Sequence, residues 1–161
     1  MSNLSYAYQN FIWRLEAITP TSATCTFKFR SFDPLKRSPK RSTGDVRKFS
    51  VSWLGSGADG EDEAPDANDM YSRTARHNFE IKIEYPAVYP WDTMQQLVAD
   101  DRHDILKALR NQANNVGYNA SNTTTDIGLW ERRRTSDSLE IDDDVWILKL
   151  NYLAIINEPE T

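Results

Sequence analysis

Few residues in this sequence could carry acid–base or metal chemistry, and His103 is the first of them. It lies in the run Asp-Asp-Arg-His-Asp at 100–104, and carboxylates together with an imidazole can bind a divalent metal. On a helix only residues three or four apart share a face, so Asp100 and His103 could pair while Asp101 and Asp104 point elsewhere. A charged helix start explains the run more simply, because the helix dipole favours acidic residues there. We therefore predict no metal site at this position.

The other candidates each lack part of what the chemistry needs. The three aspartates at 142–144 would alternate faces in an extended chain and lack the spacing of a calcium loop. Cys25 is the only cysteine, and it faces the predicted core without a base beside it. His77 lies on the apolar face of a strand, where we expect hydrogen bonds to satisfy it. Since no nucleotide-binding loop or GxSxG turn is present either, we predict that the protein is not an enzyme and needs no metal or other cofactor.

The charged residues are segregated into blocks. The net charge of −5 argues against general nucleic-acid binding, which depends on cations that displace counterions from phosphate. Residues 28–48 carry eight cations and two acids, whereas residues 59–69 carry six acids and no cation. Two solvated loops would explain these blocks, and the alternative is that opposite charges meet between subunits. The residues predicted for such a contact are Lys36, Arg37, Lys40 and Arg41 on one side and Glu61, Asp62 and Glu63 on the other.

Three consecutive arginines are, with the basic loop, the best candidate for binding an anionic surface: Arg132, Arg133 and Arg134. Proteins that bind single-stranded nucleic acid by stacking its bases need aromatic residues interleaved with the cations. Here the aromatic residues fall on apolar strand faces instead. A sequence-reading role is therefore not predicted, whereas non-specific contact with a DNA backbone is compatible with a ring or channel protein.

Two stretches have helical periodicity. Leu4 to Ile18 carries an apolar stripe, which Ser2 or Ser5 can cap and Thr19-Pro20 can stop. A strand with Phe11, Trp13, Leu15 and Ala17 on one face is the alternative, and we favour the helix.

The second helical stretch begins after Trp91. Asp92 and Gln95 resemble a capping box. The pair Asp100-Asp101 interrupts the apolar pattern, so we expect either one bent helix or a short helix followed by a longer one capped at Asp101. Gly117 is predicted to end it.

Alternation of apolar and polar residues predicts strands at 24–32, 47–54, 76–85 and 145–156, with a charged, irregular strand at 130–140. Loops are expected at about 33–46, 55–75 and 118–129. A chain of 161 residues is most simply one domain. We predict a single α+β domain over 1–161, with a four- to five-stranded, mostly antiparallel sheet, two helices on one face and long charged loops.

The strand at 145–156 is the longest apolar run in the sequence. One of its faces is entirely apolar, whereas the other carries Lys149 and Asn151 in its middle. Two helices suffice to cover only one side of a sheet, so we expect the Lys149 face to be open and to meet a neighbouring subunit. The run is too short to span a bilayer, and the start of the chain does not resemble a secretory signal. We therefore expect a protein of a cytosol-like compartment with no membrane partner.

The order of these patterns resembles the tail terminator, or tail completion, proteins of long-tailed bacteriophages. The resemblance covers most of the chain from Phe11 to Glu158. It rests on AITPTS at 17–22, RKFSVSW at 47–53, RHNFEIKIEYP at 76–86, ADDRHDILKALRN at 99–111 and VWILKLNYLAII at 145–156. The acidic stretch at 55–69 and the polar loop at 118–128 are longer than that family requires.

The resemblance implies a structural virion protein that acts without catalysis. Members of that family are small α+β proteins that form rings, here expected to be hexameric, which cap the tail tube and join it to the head. The implied partners are further copies of the chain, the tail tube protein and the head–tail connector or stopper protein. The implied location is the neck of the virion, with assembly in the host cytoplasm.

Three other functions are compatible with the sequence. Another head–tail joining component, such as a stopper or head-completion protein, differs from a terminator only in its position in the virion. A small binding or inhibitor protein would also have scattered surface charge and no active site. A hydrolase with a carboxylate-bound metal is the third choice.

Overall fold

Two helices and five strands make up the part of the chain that the computed structural model describes, which is residues 1–22, 26–27, 46–56 and 72–159. In chain order they are α1 (Asn3–Glu16), β1 (Thr26–Phe27), β2 (Val46–Ser56), β3 (Ser72–Pro86), α2 (Trp91–Arg110), β4 (Leu129–Ile141) and β5 (Val145–Pro159), and a short 3-10 turn at Gln112–Asn114 follows α2. The predicted α+β fold, an antiparallel sheet with two helices, is confirmed. Of the strand expected at 24–32 only β1 is described, because the rest lies outside the described residues.

The sheet has the strand order β1-β2-β3-β5-β4. All pairings are antiparallel except the short parallel contact between β1 and β2. β3 and β5 form the centre and pair without a break from Ser72 opposite Pro159 to Pro86 opposite Val145. Both strands of the β2–β3 pair extend into the stretch predicted as a loop at 55–75, since β2 ends at Ser56 and β3 begins at Ser72.

The core lies between one face of the sheet and the two helices. The alternation of β3 and β5 supplies that face, with Phe79 opposite Tyr152 and Ile81 opposite Leu150, all four buried. Phe11 of α1 is fully buried, and its ring centroid lies 4.8 Å from that of Phe79 and 6.0 Å from that of Tyr152. Aromatic pairs at these separations add to the free energy gained from burial.

α1 confirms the predicted N-terminal helix and excludes the strand alternative. The Ser2 hydroxyl caps it by accepting a hydrogen bond from the Ser5 amide at 3.2 Å. Ala7, Phe11 and Leu15 recur at intervals of four residues and are buried against the sheet. Tyr8, which the stripe also contains, lies at the edge of this face and is more exposed.

α2 is one continuous helix and differs from expectation at both ends. Pro90 is its N-cap and no side chain caps it, so the predicted capping box is wrong and Asp92 lies within the first turn. The helix ends at Arg110 and not at Gly117. The reason is local, because the Asn111 side chain accepts a hydrogen bond from the Ala113 amide at 3.1 Å and starts the 3-10 turn.

Gly117 serves the loop that follows. Its φ is +71°, and a Cβ there would lie 2.1 Å from the Asn122 carbonyl oxygen. Only glycine allows both the left-handed conformation and this close approach. Apart from the 3-10 turn, the described residues of 111–128 contain isolated bridges only, so the predicted loop at 118–129 is confirmed except at Leu129, which opens β4.

β2 contains a register shift that changes one predicted core residue. The shift lies between Trp53 and Ser56 and includes Gly55, whose φ is +89°. Trp53 was expected on the buried face with Phe49 and Val51, but it is 50 % exposed. The bulge lets the end of the strand turn away from the core.

Both described helices pack on the core face, so neither covers the second face of the sheet. Lys82, Glu84 and their β5 neighbours Lys149 and Ile147 lie on that second face and are half-buried. The described part of the chain is thus a two-layer structure with one uncovered sheet face.

Candidate functional site

The three consecutive arginines lie on two different faces of β4. Arg132 is opposite Ala154 and Arg134 is opposite Tyr152, both residues of the core face, whereas Arg133 is opposite Leu153 on the second face. Arg133 donates a hydrogen bond to the Glu131 carboxylate at 2.9 Å. The three therefore do not form one continuous basic patch.

Arg132 is a buried cation that no carboxylate of the described residues contacts. Its side chain is on the core side of the edge strand, and the residue is 7 % exposed. One nitrogen, Nη1, donates a hydrogen bond to the Asn10 side-chain oxygen at 2.7 Å. The other two, Nε and Nη2, are buried and have no hydrogen-bond partner in the described part of the chain. Buried groups of this kind are costly unless they are paired.

The surroundings of Arg132 add positive charge. Burial is the main cause that lowers the pKa of Arg132 to about 9, and the nearby charge of Arg14 acts in the same direction. The group stays protonated at neutral pH. Asn10, its one partner, uses its amide to donate to the carbonyl oxygens of Asn114, Val116 and Gly117. A neutral amide therefore holds the guanidinium, and its charge is not balanced there.

A pocket of about 500 Å³ lies between α2 and β4 and has Arg132 in its wall. Arg110 of α2, Arg134 of β4 and the buried Asn115 line it as well. The Asn115 amide donates to the Trp130 carbonyl at 3.1 Å, but its side-chain oxygen is buried without a partner in the described residues. Glu131 and Arg133 of β4 line the pocket too, so it offers guanidinium donors together with an amide and a carboxylate acceptor.

A second buried arginine shows how such a group is satisfied in this protein. Arg47 of β2 and Asp101 of α2 are both fully buried. Nη2 of Arg47 donates to Asp101 Oδ1 at 2.7 Å, and Nε donates to Oδ2, which makes a two-point contact. Burial raises the pKa of Asp101 to about 6, and Arg47 opposes that shift.

Sequence reasoning missed this pair although a signal was present. Arg47 precedes Phe49 and Val51 at the spacing of one strand face. Asp101 lies four residues after Leu97 and four before Ile105, on the apolar stripe of α2. The residue predicted to interrupt or cap the helix therefore belongs to its buried face.

His77 behaves as predicted for a histidine at the edge of the core. The Trp53 indole N–H donates to Nδ1 at 3.1 Å, and Nε2 lies 3.1 Å from a Glu158 carboxylate oxygen. Because an indole N–H can only donate, Nδ1 accepts and the proton of the neutral ring is on Nε2. Both ring nitrogens of His77 have hydrogen-bond partners, so neither is left to accept a proton from a substrate in this arrangement.

Lys149 and Asn151 lie in the middle of the second face, as predicted. The Lys149 ammonium is 2.7 Å from the Glu140 carboxylate, and the Asn151 amide donates to the Ser136 hydroxyl at 3.0 Å. Lys149 is also directly opposite Lys82 of β3. Like charges directly opposite one another weaken a strand pair, but Glu80, Glu84 and Glu140 lie on the same face, so its centre carries charges of both signs.

Apolar side chains lie beside these charges at one end of the second face. Leu153 and Ile155 follow on β5 and are half-buried. Their cross-strand partners on β4 are the charged residues Arg133 and Glu131. The face therefore combines a charged centre with an apolar end at Leu153 and Ile155.

The remaining predicted contact residues lie outside the described part of the chain: Lys36, Arg37, Lys40, Arg41, Glu61, Asp62 and Glu63. Within the described residues, no three His, Cys, Asp or Glu side chains are grouped as metal ligands. None of the described helices is both long and apolar enough to cross a membrane. Comparison with family models and with curated proteins gave no match to this chain.

Proposed function

We propose that this protein is a structural virion protein that assembles with copies of itself into a ring and terminates the tail of a long-tailed phage. The observation that carries the proposal is the two-layer fold with both described helices on one face of the sheet. Neither described helix covers the other face, which has Lys82 opposite Lys149 and an apolar end at Leu153 and Ile155. The order of elements also agrees with the resemblance to tail terminators.

A ring needs an interface between two different surfaces of the same chain, repeated until it closes. The basic block at 28–48 and the acidic block at 59–69 are opposite in charge, and such complementarity selects partners and suppresses wrong ones. The proposed ring is a hexamer that contacts the tail tube protein on one side and the connector or stopper protein on the other. Contact with DNA passing through its channel would be non-specific.

The test is addition of the purified protein to tail tubes that lack a terminator, followed by electron microscopy. We expect density at one end of each tube and tubes of uniform length. Binding to head connectors without binding to tubes would contradict a terminator and favour a stopper or head-completion protein. Binding to neither would contradict both head–tail functions.

A further inference from the structure

We propose that the pocket between α2 and β4 is a binding site for a carboxylate presented by an acidic polypeptide, with Arg132 as the group that receives it. The proposal does not depend on ring formation or on a role in a phage tail. It rests on one buried guanidinium with two unpartnered nitrogens in the wall of a pocket.

The two free nitrogens of Arg132 are the pair that a carboxylate contacts. Nε and Nη2 form one edge of a guanidinium, and a carboxylate accepts two parallel hydrogen bonds from such an edge. Arg47 uses Nε and Nη2 in this way for Asp101. The same edge of Arg132 is buried and has no partner among the described residues.

A polypeptide fits the pocket better than a nucleic-acid backbone does. Asn115 lines the pocket, and its buried amide oxygen has no partner among the described residues. A peptide N–H could satisfy that oxygen, whereas a phosphodiester group could not. The ligand class is therefore an acidic peptide and not DNA.

Entry of the ligand requires movement of side chains in the pocket wall. Nε and Nη2 of Arg132 are closed off from solvent. Arg110 is exposed, and the side chain of Arg134 is 38 % exposed and lies 3.5 Å from Asp137. Such long, partly solvated side chains change rotamer readily, and both add positive charge at the pocket.

The experiment measures binding of hexaglutamate, with hexaglutamine as the neutral control, by calorimetry and thermal shift. We expect hexaglutamate to bind and raise Tm, and hexaglutamine to do neither. Arg132→Gln should weaken binding roughly tenfold or more, because a charge-assisted two-point contact is lost. Lys107→Gln is the control, since it removes one positive charge from an exposed residue of α2 that does not line the pocket, and it should bind with little change.

Arg132→Gln could fail to fold, so Arg134→Gln combined with Arg110→Gln provides a second route. This variant changes side chains that are not buried, and it should keep the fold while losing several-fold in affinity. Absence of hexaglutamate binding, or an equal loss of affinity in the Lys107→Gln control, would overturn the proposal. Tighter binding of an oligonucleotide than of hexaglutamate, with the same dependence on Arg132, would overturn it in favour of phosphate recognition.

Discussion

At the residue scale, the two buried arginines differ in their hydrogen-bond partners. Arg47 has a carboxylate partner in Asp101, and both are fully buried. Among the described residues, Arg132 has one hydrogen-bond partner, the neutral side chain of Asn10, and its guanidinium lies 5.4 Å from the centroid of the Phe11 ring. The first pair is complete within the described chain, whereas the second guanidinium lacks an anion. We therefore assign Arg47 and Asp101 to a structural ion pair and Arg132 to the proposed binding site.

Removing one partner of the Arg47–Asp101 pair should lower the free energy of unfolding much more than removing both partners. Arg47→Met leaves the Asp101 carboxylate buried and uncompensated, so we expect a loss of about 3–5 kcal/mol in the free energy of unfolding. The double variant Arg47→Met with Asp101→Leu should recover most of that loss, because two well-packed apolar side chains avoid the desolvation of both charges. Urea denaturation measures both values.

Arg102→Met serves as the control for that series. Arg102 pairs with Asp137 between α2 and β4, but its side chain is 39 % exposed. An exposed pair contributes less than about 1 kcal/mol. A single Arg47→Met variant as stable as Arg102→Met would contradict the assignment of Arg47 and Asp101 as a buried structural pair.

At the scale of elements, the loop after α2 depends on one glycine. Gly117→Ala should lower the free energy of unfolding by more than the roughly 1–2 kcal/mol of left-handed strain, because its Cβ would also meet the Asn122 carbonyl oxygen at 2.1 Å. Gly55→Ala has similar strain, with φ at +89°, but its Cβ meets nothing within 4 Å. A loss in Tm no larger for Gly117→Ala than for Gly55→Ala would show that the close contact relaxes without cost.

The regular elements could be predicted because their patterns are uninterrupted. β3 and β5 alternate along their whole paired length, and α1 has a clean stripe through Phe11 and Leu15. The fold class follows from these elements, since a sheet with one apolar face needs a single covering layer. His77 was placed correctly for the same reason.

The pocket could not be predicted because β4 is irregular. Simple alternation from the buried Leu129 would place residues 131 and 133 on the core face. The shift between Leu129 and Glu131 instead puts Arg132 there. A shift by one residue exchanges the two faces of a strand. Arg132 is therefore buried, whereas its neighbours Arg133 and Arg134 are exposed. Asp101 was equally hard to predict as a core residue. A charged residue within the apolar stripe of α2 resembles an interruption of that stripe, although the Asp101 side chain is buried.

At the scale of the whole molecule, the uncovered sheet face should control assembly. Leu153→Asp puts a charge at the apolar end of that face, so we expect loss of assembly, and because Arg133 lies directly opposite on β4 the monomer should stay folded. Val88→Asp is the control, because Val88 is an exposed apolar residue outside the sheet, at 60 % exposure. Analytical ultracentrifugation with circular dichroism separates assembly from folding, and assembly retained by Leu153→Asp would contradict this interface.

The charge blocks give a second test of assembly. Reversal of Lys36, Arg37, Lys40 and Arg41 to Glu should weaken self-association while the monomer stays folded, because like charges would then meet across the contact. Reversal of Glu61, Asp62 and Glu63 to Lys should do the same. A mixture of the two variants should associate better than either alone, as native mass spectrometry would detect. Unchanged self-association of the first variant would remove the role of these charges.

The most direct test of the ring is the mass of the protein in solution, by light scattering at high concentration and again with tail tubes present, followed by negative-stain images. We predict six copies and particles with six-fold symmetry around a central hole. A strict monomer under both conditions would contradict the ring, and with it the proposed function as a tail terminator.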